Sequence, residues 1–168
     1  EVVSPIYQNG KSFSENKAII SKDFKNYVIN DKFQILFELK VRDLENIGYF
    51  SDGLLPIKNV NDEWGYLDST GAIVIKPQFF YPGAFGGQFK DGLAYVGHKS
   101  IINKKGEIVY KIRMDRGGDY VFSHVLFSKD KIIYNPDYGE LIFVDRKDFS
   151  TKKITVPYGN SYELWHSR

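Results

Sequence analysis

The chain has 168 residues, with 23 lysines and arginines against 21 aspartates and glutamates, 42% hydrophobic residues and 16% aromatic ones. This length and composition are those of a single globular domain that can bury its own core. The absence of cysteine excludes disulfides, thiolate metal sites and cysteine nucleophiles. A formal charge of +2 is too balanced to indicate nucleic acid or an anionic membrane as a partner, and no apolar run is long enough to span a bilayer.

Similar short windows recur along the chain, each opening with phenylalanine and passing through a turn into an apolar strand. The clearest copies begin at Phe50 and Phe89, and a related window begins 37 residues before the first of them, at Phe13. A weaker copy begins near Phe122, 33 residues after Phe89. These windows divide one repeat domain, residues 1–168, into approximate units at 13–49, 50–88, 89–121 and 122–156, with a C-terminal tail at 157–168.

A tight hairpin follows the opening window in each unit. In the second unit Tyr66 leads into a turn that begins at Asp68 and ends at Gly71, and β-branched residues follow it. The first turn residue can accept a hydrogen bond from the backbone two residues on, and glycine at the last position can adopt a positive φ. Asn103 and Gly106 repeat this chemistry in the third unit, and residues 133–142 are its counterpart in the fourth.

Other turn signals refine these units. Gly53 and Gly92 each follow an aspartate and supply the turn of the opening window. In the first unit Phe33 stands where the hairpin glycine belongs, so we expect a longer or more strained turn there. Pro77 cannot donate to a β-ladder, which indicates an edge position or the end of the outgoing strand.

A unit of about three short strands cannot bury its apolar face alone, so neighbouring units have to pack together. We therefore expect an all-β fold of tandem β-hairpin repeats, about four diverged units of 33 to 39 residues sharing one core. A small β-propeller or barrel is the alternative. Helical spacing occurs only at residues 39–46.

The pattern that starts with Trp64 and Gly65, passes through Pro77 to Phe79 and continues with Asp-Gly-Leu-Ala at 91–94 resembles the WG-repeat family of bacterial proteins. The resemblance is specific over residues 50–110, and the flanking units lack the Trp-Gly pair. It implies a tandem β-hairpin array, found mostly in secreted, surface or envelope-associated proteins, with no established catalytic residues and no particular ligand. An extracytoplasmic location is therefore expected, with any signal segment lying outside this chain.

Aromatic residues at the junction of the second and third units are the candidate binding residues. Trp64 has two interpretations: an exposed platform on which a sugar or peptide stacks, or an anchor that packs one hairpin on the next. The second is favoured because an aromatic residue at a repeated position usually fills the interface between repeats. Gly65 would then let the backbone pass close to the indole. Residues 79–89 concentrate aromatics and glycines, so they either present an apolar surface or fold back over the sheet. The candidates are Trp64, Phe79, Phe80, Tyr81, Phe85 and Phe89.

The chemistry-bearing side chains share no spacing typical of a metal centre or an active site. Three histidines fall at unrelated positions of the repeat, so neither a metal nor a cofactor is expected. They are His98, His124 and His166.

The sequence favours a non-catalytic binding module for a protein partner or a cell-envelope glycan. A secreted effector or inhibitor remains an alternative. A hydrolase with an acidic pair in a groove between repeats is another, for which Asp43 with Glu45, or Asp115 with Asp119, are the available pairs. Neither nucleic acid binding nor membrane insertion is expected, and the oligomeric state is open.

Overall fold

The computed structural model describes residues 7–80, 87–97, 99–113, 125–136 and 139–155. These residues form fourteen strands and one short 3-10 turn, Leu44–Asn46. The all-β prediction is confirmed, and the stretch with helical spacing contributes only that 3-10 turn. In the described part of the chain no helix is long and apolar enough to cross a bilayer.

The strands form four antiparallel sheets, and each sheet is made from one continuous stretch of chain. The first has four strands: β1 (Asn9–Ser14), β2 (Lys17–Lys22), β3 (Lys25–Asn30) and β4 (Ile35–Leu39). The second has three: β5 (Leu54–Lys58), β6 (Trp64–Asp68) and β7 (Ile73–Phe79). The third has three: β8 (Leu93–Val96), β9 (Ser100–Asn103) and β10 (Ile108–Lys111). The fourth has four: β11 (Val125–Phe127), β12 (Lys131–Tyr134), β13 (Glu140–Asp145) and β14 (Thr151–Thr155).

Successive sheets pack face to face through three apolar clusters. Val28 of the first sheet packs with Leu55 of the second, Tyr66 of the second with Ile102 of the third, and Ile101 of the third with Val144 of the fourth. Because side chains alternate along a strand, each sheet has a leading face toward the next sheet and a trailing face toward the preceding one. The arrangement agrees with tandem hairpin repeats and equally with a propeller-like stack of blades.

Hydrogen bonds also join the sheets along one edge, which we call the turn edge because the opening turns lie there. The Glu15 carboxylate accepts from the Gly53 N–H at 2.9 Å, and the Asp52 carboxylate accepts from the Gly92 N–H at 2.5 Å. The Ser51 hydroxyl likewise accepts from the backbone N–H of the third unit's opening phenylalanine at 2.8 Å. Equivalent turns of successive units therefore lie side by side on the turn edge.

The hairpin turns follow the predicted chemistry. Asp68 accepts from the backbone N–H of Thr70 at 2.8 Å, and Asn103 makes the same bond with Lys105 at 2.9 Å. The Thr70 hydroxyl also donates a hydrogen bond to the carboxylate of Asp68, and this bond is the largest cause of the lowered pKa of Asp68. The backbone hydrogen bonds lower this pKa further. In the first unit Phe33 adopts φ +59° in a turn of the same length, so the turn is strained rather than longer.

Of the two positions predicted for Pro77, the structure shows the edge position. Trp64 pairs with Phe79 and Tyr66 with Ile75, so β7 carries two more residues than β6 between these pairs and continues beyond the proline. Pro77 thus lies in a bulge of an edge strand rather than at the strand end. This position needs no ladder donor, as expected for proline on an edge.

In the fourth unit the structure shifts the repeat alignment. The Ser128 N–H donates to the Lys131 carbonyl, as the Lys90 N–H donates to the Leu93 carbonyl, so this opening turn lies 38 residues after the third unit's. The hairpin counterpart of Asp68 is accordingly Asp145, which accepts from the Lys147 N–H at 2.8 Å. Within residues 133–142, the described ones belong to β12, the start of β13 and the connection between them.

Candidate functional site

Tyr66 is the centre of the junction where binding residues were predicted. Its side chain is fully buried, and its hydroxyl donates to the Gly87 carbonyl at 2.6 Å. Its ring packs edge-to-face on Phe89, with centroids 5.0 Å apart. Because the phenol is buried, its pKa is raised well above the ordinary range. This end of the connection between the second and third units therefore folds back onto the core.

Trp64 and its neighbours lie in the sheet rather than on the surface. Trp64 is paired with Lys58 on one side and Phe79 on the other, and only 9% of it is exposed. Phe79 packs against the cluster between the second and third sheets, where Phe89 is 3% exposed. These three rings offer little surface to a partner.

Gly65 is required by the close approach of the neighbouring strand. A Cβ atom at this position would lie 2.5 Å from the Ile75 carbonyl oxygen and 2.5 Å from the Pro77 nitrogen. The close neighbour is thus the backbone of β7 at its bulge. Glycine allows β6 to approach this irregular edge strand.

Phe80 is the predicted binding residue that the structure leaves exposed, with 64% of its surface accessible. Tyr81 and Phe85 lie outside the described residues. Because Lys58, Trp64 and Phe79 lie side by side, the chain leaves the sheet toward Val60 and Phe80 at the same end. Val60 is 100% exposed. We call this end of the stack, opposite the turn edge, the far edge.

Phe24 occupies the same edge in the first sheet, since it lies in the connection between β2 and β3 that corresponds to the one carrying Val60. It is 91% exposed, and it and Asp23 both have positive φ, +61° and +51°. Such two-residue hairpin loops are usually Asn-Gly or Asp-Gly. Phenylalanine here costs backbone strain and gains no burial. Sequence reasoning missed Phe24, although Asp-Phe between two apolar runs was an available signal.

Basic side chains accompany the apolar residues of the far edge. Lys22 and Lys40 are exposed, and Lys25 pairs with Glu38 at 3.1 Å. Lys58 pairs with Asp62 at 2.8 Å, close to the tip that carries Val60. The hydrogen bonds of these two ion pairs raise the pKa of both lysines. The far edge thus combines exposed apolar side chains with charged side chains around them.

Of the two acidic candidate pairs, the structure describes one, Asp43 with Glu45. Asp43 and Glu45 are exposed beside the 3-10 turn, where Asp43 accepts a long hydrogen bond, 3.5 Å, from Asn46. No group of three or more acidic or histidine side chains suited to a metal occurs among the described residues. The pair Asp115 and Asp119 lies outside them.

All three histidines also lie outside the described residues. The buried polar side chain of Asn26 acts as a tether, because its amide donates to the carbonyls of Val41 and Arg42 at 2.9 and 2.6 Å. These bonds hold the connection that leads from the first sheet to the second.

Comparison with known structures supports this fold. Two structures of AztD from Citrobacter koseri match at TM-scores of 0.52 and 0.50, with 15% and 16% identity. They cover 86% and 90% of this chain, which spans 45% and 47% of theirs, or about half their length. At this identity the likeness concerns the fold alone. A comparison with curated proteins gives no match.

The family described as WG containing repeat matches residues 1–25 and 64–97. The second match begins at the Trp-Gly pair, covers β6 and β7 of the second sheet, and continues through β8 of the third. One sequence repeat therefore extends over two adjacent sheets, so the segment that the family shares includes the contact between them. Over these two segments the chain is similar to the WG-repeat family.

Proposed function

We propose that this chain is a non-catalytic interaction module that binds a partner through its far edge. One observation carries the proposal: Phe24, Val60 and Phe80 are 91%, 100% and 64% exposed on the same edge. Exposed apolar groups gathered on one side of a soluble domain commonly mark a binding surface. Repetition of the sheets places such tips at regular intervals, as in other repeat proteins that bind along an extended edge.

The partner we favour is a protein. A sugar ring stacks on an aromatic face, which Phe24 and Phe80 can offer, but the isopropyl group of Val60 has no such face. Val60 fits an apolar pocket instead. A cell-envelope glycan is the alternative ligand. The extracytoplasmic location implied by the family resemblance is part of the proposal, and fractionation of the native organism tests it.

A stability comparison separates binding residues from core residues. Phe80→Ser should change the free energy of unfolding by less than about 0.5 kcal/mol, as for an exposed site. Trp64→Ala should cost about 3 to 5 kcal/mol, since the indole is buried. A loss of comparable size in Phe80→Ser would make Phe80 part of the core and remove it from the proposed surface.

Site-specific photo-crosslinking tests the binding surface itself. A photoreactive phenylalanine placed at Phe24 or Phe80, in the native organism, should give one discrete adduct. Phe33, which lies on the turn edge and is 63% exposed, is the matched control and should give none. The adduct should disappear when the two other far-edge residues are changed to serine. Equal crosslinking from the Phe33 position, or none from the far edge, would contradict the proposal.

A further inference from the structure

One position of the repeat is buried in three sheets and accessible in the fourth. Val28, Tyr66 and Ile101 occupy the leading face of the central strand in the first three sheets, and all are 0% exposed. Phe143 is the equivalent residue of the fourth sheet, because it lies on the central strand β13, between β12 and β14. It is only partly buried. In the first three sheets the following sheet covers this position.

The leading face of the fourth sheet is apolar around this residue. Ile133 lies beside Phe143 on β12, and the two occupy the middle of the sheet. Leu126 and Ile154, 41% and 40% exposed, extend the face onto the outer strands, and Leu141 completes it. None of these five side chains belongs to an apolar cluster formed by the described residues. We call them the end face.

Charged groups border the end face without interrupting it. Lys131 and Asp145 lie across from each other at one end and form an ion pair at 2.5 Å. Lys152 lies beside Phe143 on the edge strand β14, where it is exposed. The apolar centre with a polar border has the composition of a small protein interface.

The surface that would match the end face in head-to-tail packing is the trailing face of the first sheet, and it is already covered. In the internal interfaces a leading face meets a trailing face, so a second copy would offer the trailing face of its first sheet. There Ala18, Ile20 and Ile29 are 4%, 7% and 1% exposed, and Tyr7 and Tyr27 pack against them. Head-to-tail addition of copies would first have to expose this surface.

We propose that a second copy of this chain covers the end face, with the two end faces packed against each other about a two-fold axis. Such an interface is isologous and closes after two copies, and it leaves the covered first sheet untouched. It also repeats the face-to-face sheet packing that already joins neighbouring sheets of the chain. The far edge stays accessible in this dimer, so the proposal is independent of the binding function.

The area of the end face sets the expected strength. The four strands have three to six residues each. With strands about 4.8 Å apart and a rise of roughly 3.3 Å per residue, they give a face of about 19 by 15 Å. This is smaller than the surface that standard interfaces bury, about 800 Å² per partner. We therefore expect a weak dimer with a dissociation constant of roughly micromolar or above.

Sedimentation velocity of the whole chain over a wide concentration range tests the proposal. The wild type should shift from monomer to dimer as concentration rises, and Phe143→Asp should stay monomeric. Phe80→Asp makes the same change on the far edge and should dimerise like the wild type. Should Phe143→Asp fail to fold, Leu126→Asp at the exposed margin of the end face serves instead. A wild type that stays monomeric, or a dimer that both end-face variants retain, would overturn the proposal.

Crosslinking identifies which faces meet. Because the chain has no cysteine, an introduced cysteine is its only thiol. Ile133→Cys lies near the proposed axis and should form a disulfide with its own copy, whereas Lys105→Cys on the turn edge should not. A concentration-dependent dimer in which Ile133→Cys forms no disulfide would overturn the two-fold packing of the end faces.

Discussion

The carboxylate of Asp52 and the backbone N–H of Gly92 are 40 residues apart in sequence and form a hydrogen bond of 2.5 Å. Glu15 and Gly53 form the same bond one unit earlier, at 2.9 Å. At the third unit Asp91 instead lies 3.6 Å from the guanidinium of Arg146 in the fourth. The recurring acidic turn is therefore a link between units as well as a turn within one.

Removing this link should destabilise the fold measurably. Asp52→Ala leaves the Gly92 N–H without its charged acceptor, so we expect a loss of about 1.5 to 3 kcal/mol in the free energy of unfolding, measured with urea. Asp91→Ala is the control. Its carboxylate is mostly exposed and its ion pair is long, so it should lose less than about 1 kcal/mol. Similar losses at the two positions would argue against the link.

Gly65→Ala should be far more harmful than Gly53→Ala. At Gly65 the added methyl group would meet two backbone atoms of β7 at 2.5 Å, which cannot move without breaking the strand pairing. We expect a loss of about 3 kcal/mol or more, or failure to fold. Gly53 has open space around it, and its φ of +77° alone should cost about 1 to 2 kcal/mol. Thermal melts of both variants test the difference, and equal melting temperatures would disprove the close approach.

The buried phenol of Tyr66 should make stability fall at alkaline pH. Burial raises its pKa in the folded state above the ordinary value of 10.0, so ionisation favours the unfolded chain. Its contribution is complete below about pH 10 and decreases as the pH rises above that value. Tyr66→Phe removes this dependence and leaves every other side chain of the protein unchanged. Urea titrations of the two proteins at about pH 9 and pH 11 should therefore show a steeper decline for the wild type. Parallel declines would mean that Tyr66 does not contribute.

Phe24→Gly should stabilise the protein. Phenylalanine at φ +61° carries a strain of about 1 to 2 kcal/mol that glycine avoids, and the 91% exposed ring gives up little packing. After the entropy that glycine loses on folding, a gain of about 0.5 to 1 kcal/mol is expected in urea unfolding. Phe33→Gly is the control. It relieves a similar φ of +59° but loses the edge-to-face contact with Phe13 at 6.1 Å, so its gain should be smaller. A destabilised Phe24→Gly would show that the ring has packing partners.

Much of the fold could be predicted from local sequence. The turn that starts at Asp68 and the one at Asn103 were assigned correctly, because the bonds from a side chain to its own following backbone depend on only a few residues. The strands beside them follow from the same turns. The opening turn of the fourth unit, Ser128 to Lys131, is harder to recognise, because Lys129 and Asp130 stand where the second and third units have Asp-Gly.

Which of the candidate residues are exposed is harder to predict. Trp64, Phe80 and Phe89 are all aromatic and close in sequence, yet they differ in exposure from 3% to 64%. Composition and spacing do not distinguish a ring that meets the next sheet from one that leaves the end of a strand. The close approach of β7 to Gly65 could not be predicted either, because it depends on a bulge some ten residues further along the chain.

The sequence by itself determined the repeat, the hairpin turns and the all-β class, since each depends on residues within one short segment. Only the tertiary structure decided which faces are covered and which tips stay exposed. Val28 and Phe143 hold the same repeat position, but a following sheet buries the first and leaves the second accessible. Burial depends on what packs against a side chain, and that neighbour comes from a different part of the chain.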